Sequence, residues 1–356
     1  MLPVELVEAD AKLYALLQKV SFSRHVNPIN GPTAQYAFMS GAELPPLLYD
    51  APVWADDALE LLRGLRIPRM HPLGQLLSQE VAEISTLIMA LKLRSAEAFS
   101  ELNRMCGWAP LRLPMPTEED GEEVERGEGC DAIGMRTVLE EALRARDLDQ
   151  WRVEMDPVMS ARILVDAPKR LIRVRPSAKF TGSDLRGLVA HEIDVHVLRG
   201  HFGGLQPLRI FSAGLPGADV TEEGLAILAE ERVGALSPRF LWRQWLLHEA
   251  IFRAETAGFR EVYEWVAAQA GTSVAWALCL RIKRGLAQPG KPGVYAKDCI
   301  YLRGYLGLRR WIAEGGDLRL LYVGKVGVQH PVQEWLEEGW VRMGIVPALW
   351  QPPPRD

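Results

Sequence analysis

Cysteine is scarce in this chain of 356 residues: Cys106, Cys130, Cys279 and Cys299 lie far apart, with no C-x-x-C pair. That spacing excludes a disulfide-built scaffold and a thiolate zinc finger, and reduced, mostly buried thiols are expected. A basic surplus is missing too. Lys and Arg number 41 against 46 Asp and Glu, for a net charge of -5, which argues against a general nucleic-acid binder. No apolar run reaches the length of a membrane span. The opening MLPVELVEADAKLY carries acids where a secretory signal needs basic residues ahead of an apolar core. The expectation is a cytoplasmic protein with neither nucleic acid nor a membrane as partner. Its oligomeric state is left open.

Histidine is also sparse, at seven residues, yet two fall in one short run, LVAHEIDVH from Leu188 to His196. A glutamate follows the first histidine directly. On a helix such a cluster supplies two imidazoles to a metal and a carboxylate to a water beside it, as in the HExxH zinc-protease signature. Here there is one residue too many. An α-helix turns by about 100° per residue, so positions i and i+5 lie about 140° apart and could not share an ion. A π-type turn absorbs the extra residue and restores a common face. The spacing therefore predicts a local π-turn between His191 and His196.

Downstream, Thr221-Glu222-Glu223-Gly224-Leu225-Ala226 carries two carboxylates, and Glu230 follows Glu223 by seven positions. Thr221 reads as an N-cap, which would put the glutamates in the first turn, at the positive end of the helix dipole. Two histidines and one glutamate leave a fourth tetrahedral position open, the coordination of a catalytic rather than a structural zinc.

The run from Val189 to Glu230, with KDCIYLRGYL at 297–306 and YVGKV at 322–326, resembles the QEGLA-motif family. Its bacterial members are described as flavohaemoglobin expression-modulating proteins, and its eukaryotic relatives are microtubule-associated tyrosine carboxypeptidases. The resemblance covers most of the chain. It implies one zinc per chain held by His191, His196 and Glu223, with Glu192 as the catalytic carboxylate. Glu222 stands at the family's glutamine position. Asp194 and Val195 replace an expected glycine and threonine, and an acid at 194 could orient one histidine or alter the pocket.

The fold expected is α+β and mostly helical: a zincin-like catalytic core with a small antiparallel sheet and added helical layers. Residues 1–115 form a helical N-terminal region, with helical spacing near 6–19, 55–65 and 75–105. Residues 116–129, PTEEDGEEVERGEG, form an acidic loop. Residues 130–356 form the catalytic domain. Alternating apolar residues mark strands at 151–155, 161–165 and 171–174, with a turn at Asp166–Lys169. A free sheet edge there could pair with an extended peptide. The metal-binding helix should run from near Ser183 to a C-cap at Gly200.

Lys297, Tyr301 and Tyr305 follow at i, i+4 and i+8, one helical face. Tyr301 is a candidate oxyanion donor, and Lys297, Arg303 and Arg199 are candidate cations for a substrate carboxylate. The combined reading is a zinc metallocarboxypeptidase that acts on the C-terminal tail of a peptide or protein, with Glu192 as general base. The exopeptidase preference comes from the resemblance alone. The alternatives are a zinc endopeptidase, or a regulatory or scaffold protein that keeps the metal site without turnover.

Overall fold

The computed structural model describes residues 2–116 and 128–350. Most of the expected acidic loop, 117–127, lies outside the described residues. Six helices come first: α1 (Val4–Lys19), α2 (Phe22–Val26), α3 (Gly31–Met39), α4 (Ala55–Arg63), α5 (Pro72–Leu93) and α6 (Ala96–Met105). α1 buries Leu6, Ala9, Leu13 and Leu16, the spacing of a single helical face. α5 starts with Pro72 in its first turn behind His71, whose side chain accepts the Leu73 amide. The helical pattern expected over 75–105 is split, because Arg94 adopts a left-handed φ of 49° and Ser95 caps α6.

The sheet region follows, with β1 (Cys130–Asp131), α7 (Ala132–Arg144), β2 (Arg152–Met155), β3 (Ile163–Asp166), β4 (Leu171–Val174) and β5 (Lys179–Phe180). The strand order is β2-β4-β3, while β1 and β5 pair separately. The expected antiparallel sheet is instead mixed. β3 and β4 form an antiparallel hairpin, but β4 then inserts between β3 and β2 and so runs parallel to β2. β4 buries Leu171, Ile172 and Val174, and β3 is left at an edge.

Thr181 and Asp184 form a capping box that starts α8 (Gly182–Leu188). The helix continues without a break through a π-helical stretch, Val189–Val197, into α9 (Leu198–Gly203). Gly200 is therefore not a C-cap. His201 lies within α9 and meets the Gln150 side chain at 3.0 Å, apart from the other histidines. After α10 (Ile210–Ala213) come α11 (Ala218–Arg232), α12 (Phe240–Ala254), α13 (Phe259–Ala270), α14 (Thr272–Lys283), α15 (Ile300–Ala313) and α16 (Val332–Glu337). No helix among the described residues is long and apolar enough to cross a membrane.

The N-terminal helices share their cores with the rest of the chain. Leu6, Leu13, Leu77 and Ile88 pack in one cluster with Ile172, Ile193, Phe211 and Leu225. Phe38 and Phe99 join Phe259, Trp276 and Ile300 in a second. Two contacts place α10 and α11. The buried carboxylate of Asp10 in α1 accepts the amides of Arg209 at 2.6 Å and Ile210 at 2.9 Å, pinning the start of α10. α11 crosses α15 where Gly224 meets Gly304, and a Cβ on either would collide with backbone of the other helix. Only glycine lets two helix backbones approach that closely.

Candidate active site

The π-helical stretch brings His191 and His196 onto one face, with ring centroids 4.9 Å apart. Ordinary α-geometry would have separated them. Glu223 reaches them from α11. Its Oε2 lies 3.8 Å from His191 Nε2 and 3.6 Å from His196 Nε2. That oxygen is buried and has no hydrogen-bond partner among the described residues. One atom from each of the three residues falls within 4.8 Å of the others. A buried carboxylate oxygen without a donor is costly, and two imidazole nitrogens facing it complete a three-point donor set for a cation. The residues fit a metal with nitrogen and oxygen preference, of which zinc is the common case.

Both imidazoles are fixed from behind. His196 Nδ1 bonds Glu222 Oε1 at 2.8 Å, and His191 Nδ1 bonds Glu230 Oε1 at 2.6 Å. With Nδ1 donating to a carboxylate, each Nε2 keeps its lone pair for a metal. Glu222 is held in turn by Arg199 and by Lys325 at 3.0 Å. Burial would raise its pKa, but the charges of Arg199 and Lys325 prevail and keep it far below the usual carboxylate range. Arg199 also donates to the carbonyls of Leu321, Gly324 and Val326, so the 322–326 segment buttresses the site. Burial would push the His196 imidazolium down, but facing Glu223 and Glu222 raise it to about 10.

Glu192 is 6% exposed and lines the same cleft as both histidines, Glu223, Lys297 and Tyr301. Burial raises its carboxyl above the ordinary value, against the pull of His191 and His196. Burial likewise pushes the Tyr301 phenol up, so it stays protonated. The cleft encloses about 480 Å³, and residues of β3 form part of its wall.

Several expectations are corrected. Thr221 is not an N-cap: α11 starts three residues earlier, at Ala218, and the Thr221 hydroxyl accepts the Val328 amide at 3.0 Å. Glu223 thus sits in the second turn, where the helix dipole contributes less. Asp194 orients neither histidine, since it pairs with Arg146 at 2.7 Å. Arg199 has 0% exposure and is spent on Glu222 and three carbonyls, so it cannot meet substrate. Arg303 lies outside the cleft lining and donates to the Gly107 and Ala109 carbonyls. Tyr305 donates to Glu231 at 2.7 Å, and Lys297 belongs to a 3-10 turn ahead of α15, so only Tyr301 and Tyr305 of the three lie on that helix. The roles of Glu222 and Glu230 as histidine partners were missed. The available signal was their spacing of eight about Glu223. Arg281 and Arg284, both in the cleft wall, had no sequence signal.

A second His-Glu pair, His248 and Glu249, lies on α12, where buried His248 accepts the Leu111 amide at 2.7 Å through Nδ1 while its Nε2 is buried without a partner among the described residues. All four cysteines are free, though only Cys279 and Cys299 are fully buried.

The chain is 37% identical over 131 residues to mouse microtubule-associated tyrosine carboxypeptidase 1, covering 35% of this chain and 28% of that protein. The human protein of the same name matches at the same identity, with 27% of its length covered. The match thus spans little more than a quarter of these relatives. A family model, microtubule-associated tyrosine carboxypeptidase, matches residues 113–353, leaving the first six helices outside it. It covers more than half of the chain and takes in every histidine and glutamate clustered about Glu223, and on that footing the chain belongs to the microtubule-associated tyrosine carboxypeptidase family.

Proposed function

We propose that this protein is a zinc-dependent carboxypeptidase that removes a residue from the C-terminal tail of a peptide or protein. The observation that carries the reading is the unpartnered Glu223 Oε2 facing two Nε2 atoms, each presented by an imidazole locked through Nδ1. His191, His196 and Glu223 would hold the ion. Zinc bound there would supply Lewis acidity and a water of lowered pKa.

The chain's own residues divide the remaining work. Glu192, desolvated beside the ligands, accepts a proton from the attacking water and returns it to the leaving amine. Tyr301, kept as a phenol, can donate to the developing oxyanion. Glu222 and Glu230 hold the imidazoles in the binding tautomer and keep their rings from turning. The free edge of β3 offers backbone groups to an extended tail. Carboxypeptidase action and a protein tail as substrate draw support from the relatives' names, and free thiols suit a cytoplasmic setting.

The test is elemental analysis of the purified protein and of His196→Ala, followed by mass spectrometry of peptides with varied terminal residues. About one zinc per chain, lost in the variant, together with stepwise shortening from the carboxyl end, is the expected result. Absence of metal after zinc loading, or internal cleavage, would overturn the reading.

A further inference from the structure

Arg281 and Arg284 both line the cleft and share a single acid. Arg281 grips Asp298 with two bonds, at 2.6 Å and 3.1 Å. Arg284 reaches the same carboxylate only at 3.4 Å, and its one other hydrogen bond is to neutral Ser160 Oγ at 2.9 Å. Its Nε is buried without a partner. The residue is 9% exposed, and its guanidinium lies over the Tyr295 ring, 5.0 Å from the centroid. Asp298 neutralises one guanidinium, so the pair keeps about one positive charge in a desolvated wall, which is costly unless an anion arrives.

The neighbours make this a place for the end of a chain. Ser160 lies just ahead of β3, so a tail extended along that free edge can bring its last residue beside Arg284. Arg281 lies 5.7 Å from the Tyr301 ring centroid, which links the arginines to the reacting end of the cleft. Lys297, the cation expected from sequence, lines the same cleft with its ammonium 5.4 Å from the Trp108 ring centroid; burial would lower its pKa, but neighbouring Tyr295, Asp219 and Glu223 hold it above the ordinary value.

We propose that Arg284, with Arg281 beside it, receives the free terminal carboxylate of the substrate and so makes the enzyme an exopeptidase. A planar guanidinium with an unused Nε can bind a carboxylate through two parallel bonds. The assignment deepens the carboxypeptidase reading and rests on it.

The test separates binding from turnover. A fluorophore-labelled peptide ending in tyrosine is titrated, as free acid and as carboxamide, into the zinc-loaded Glu192→Gln variant, and anisotropy gives the two affinities. The free acid should bind about 10- to 100-fold more tightly, the range of a hydrogen-bonded charge. Adding Arg284→Met should remove that preference and leave carboxamide affinity and zinc content unchanged, while Arg284→Lys should restore part of it. In the otherwise native enzyme, Arg284→Met should raise KM for the free acid more than it lowers kcat. Equal binding of acid and carboxamide, or a preference that survives Arg284→Met, overturns the assignment. If the preference is present but no peptide is cleaved, the carboxypeptidase reading fails and the carboxylate site stands. If Arg284→Met unfolds, Arg284→Lys and the comparison of acid with carboxamide still decide.

Discussion

Glu222 lies 2.8 Å from His196 Nδ1 while carrying Arg199 and Lys325 on the same carboxylate. One buried acid thus fixes a histidine ring and is shared by two cations. Glu222→Gln keeps an acceptor for Nδ1 but strands the cations. Zinc affinity should fall about 10- to 100-fold, and stability by about 3 kcal/mol. Competition with a chelator measures the first, and denaturant unfolding the second. Unchanged stability would mean that Arg199 and Lys325 find other partners.

On the proposed mechanism Glu192→Gln removes the base but none of the three proposed metal donors. Zinc content should remain at wild-type level while kcat drops by about 100- to 10,000-fold. Stopped-time assays on the best peptide, paired with elemental analysis, measure both. Loss of the metal together with activity would place Glu192 among the ligands.

Asp10 gives a pH dependence of stability away from the metal. Burial raises its carboxyl from 3.8 to about 6, against the pull of the Arg209 and Ile210 amides. A carboxyl raised on folding favours the protonated native state, so its contribution is complete below pH 3.8 and is lost as pH rises through about 6. The difference amounts to about 3 kcal/mol between those limits. Asp10→Asn should flatten that part of the stability profile, as read by urea unfolding from pH 4 to pH 7. Parallel profiles for the two proteins would rule it out.

Gly304→Ala should force α11 and α15 apart, because the added methyl meets Val220 and Gly224 backbone. A stability loss of about 1–3 kcal/mol is expected from overpacking. Activity should fall further than stability explains, since Glu223 and Tyr301 ride on the two separated helices. Full activity in the folded variant would show that the crossing does not set the site.

Much of the site was legible because its chemistry is local. The interval between His191 and His196 forces a choice between a π-turn and no shared ion, and the π-helix is present. Strand positions were legible from alternation, but sheet order was not, since inserting β4 between its neighbours leaves no trace in periodicity. Sequence also could not tell which cations are free. Arg199 and Arg303 differ only in what lies across from them, and those partners come from 20 or more positions away, as with Arg199 and Glu222 and with Arg303 and Gly107. Arg284 was hidden for the same reason: its significance is a missing partner, which no motif encodes.

The π-helical stretch has a consequence beyond the two histidines. An extra residue in a turn advances the phase of everything after it by about 100°. Upstream, Gly187 faces Ala235, whereas downstream Gly200 faces Ala167 and Gly203 faces Phe211. Arg199, three residues past His196, meets the same Glu222 only in the shifted phase. Deleting one residue to regain the shorter histidine spacing would rotate one half of the helix against its neighbours, so the wide turn works as a gear offset that lets two separately packed halves serve one site.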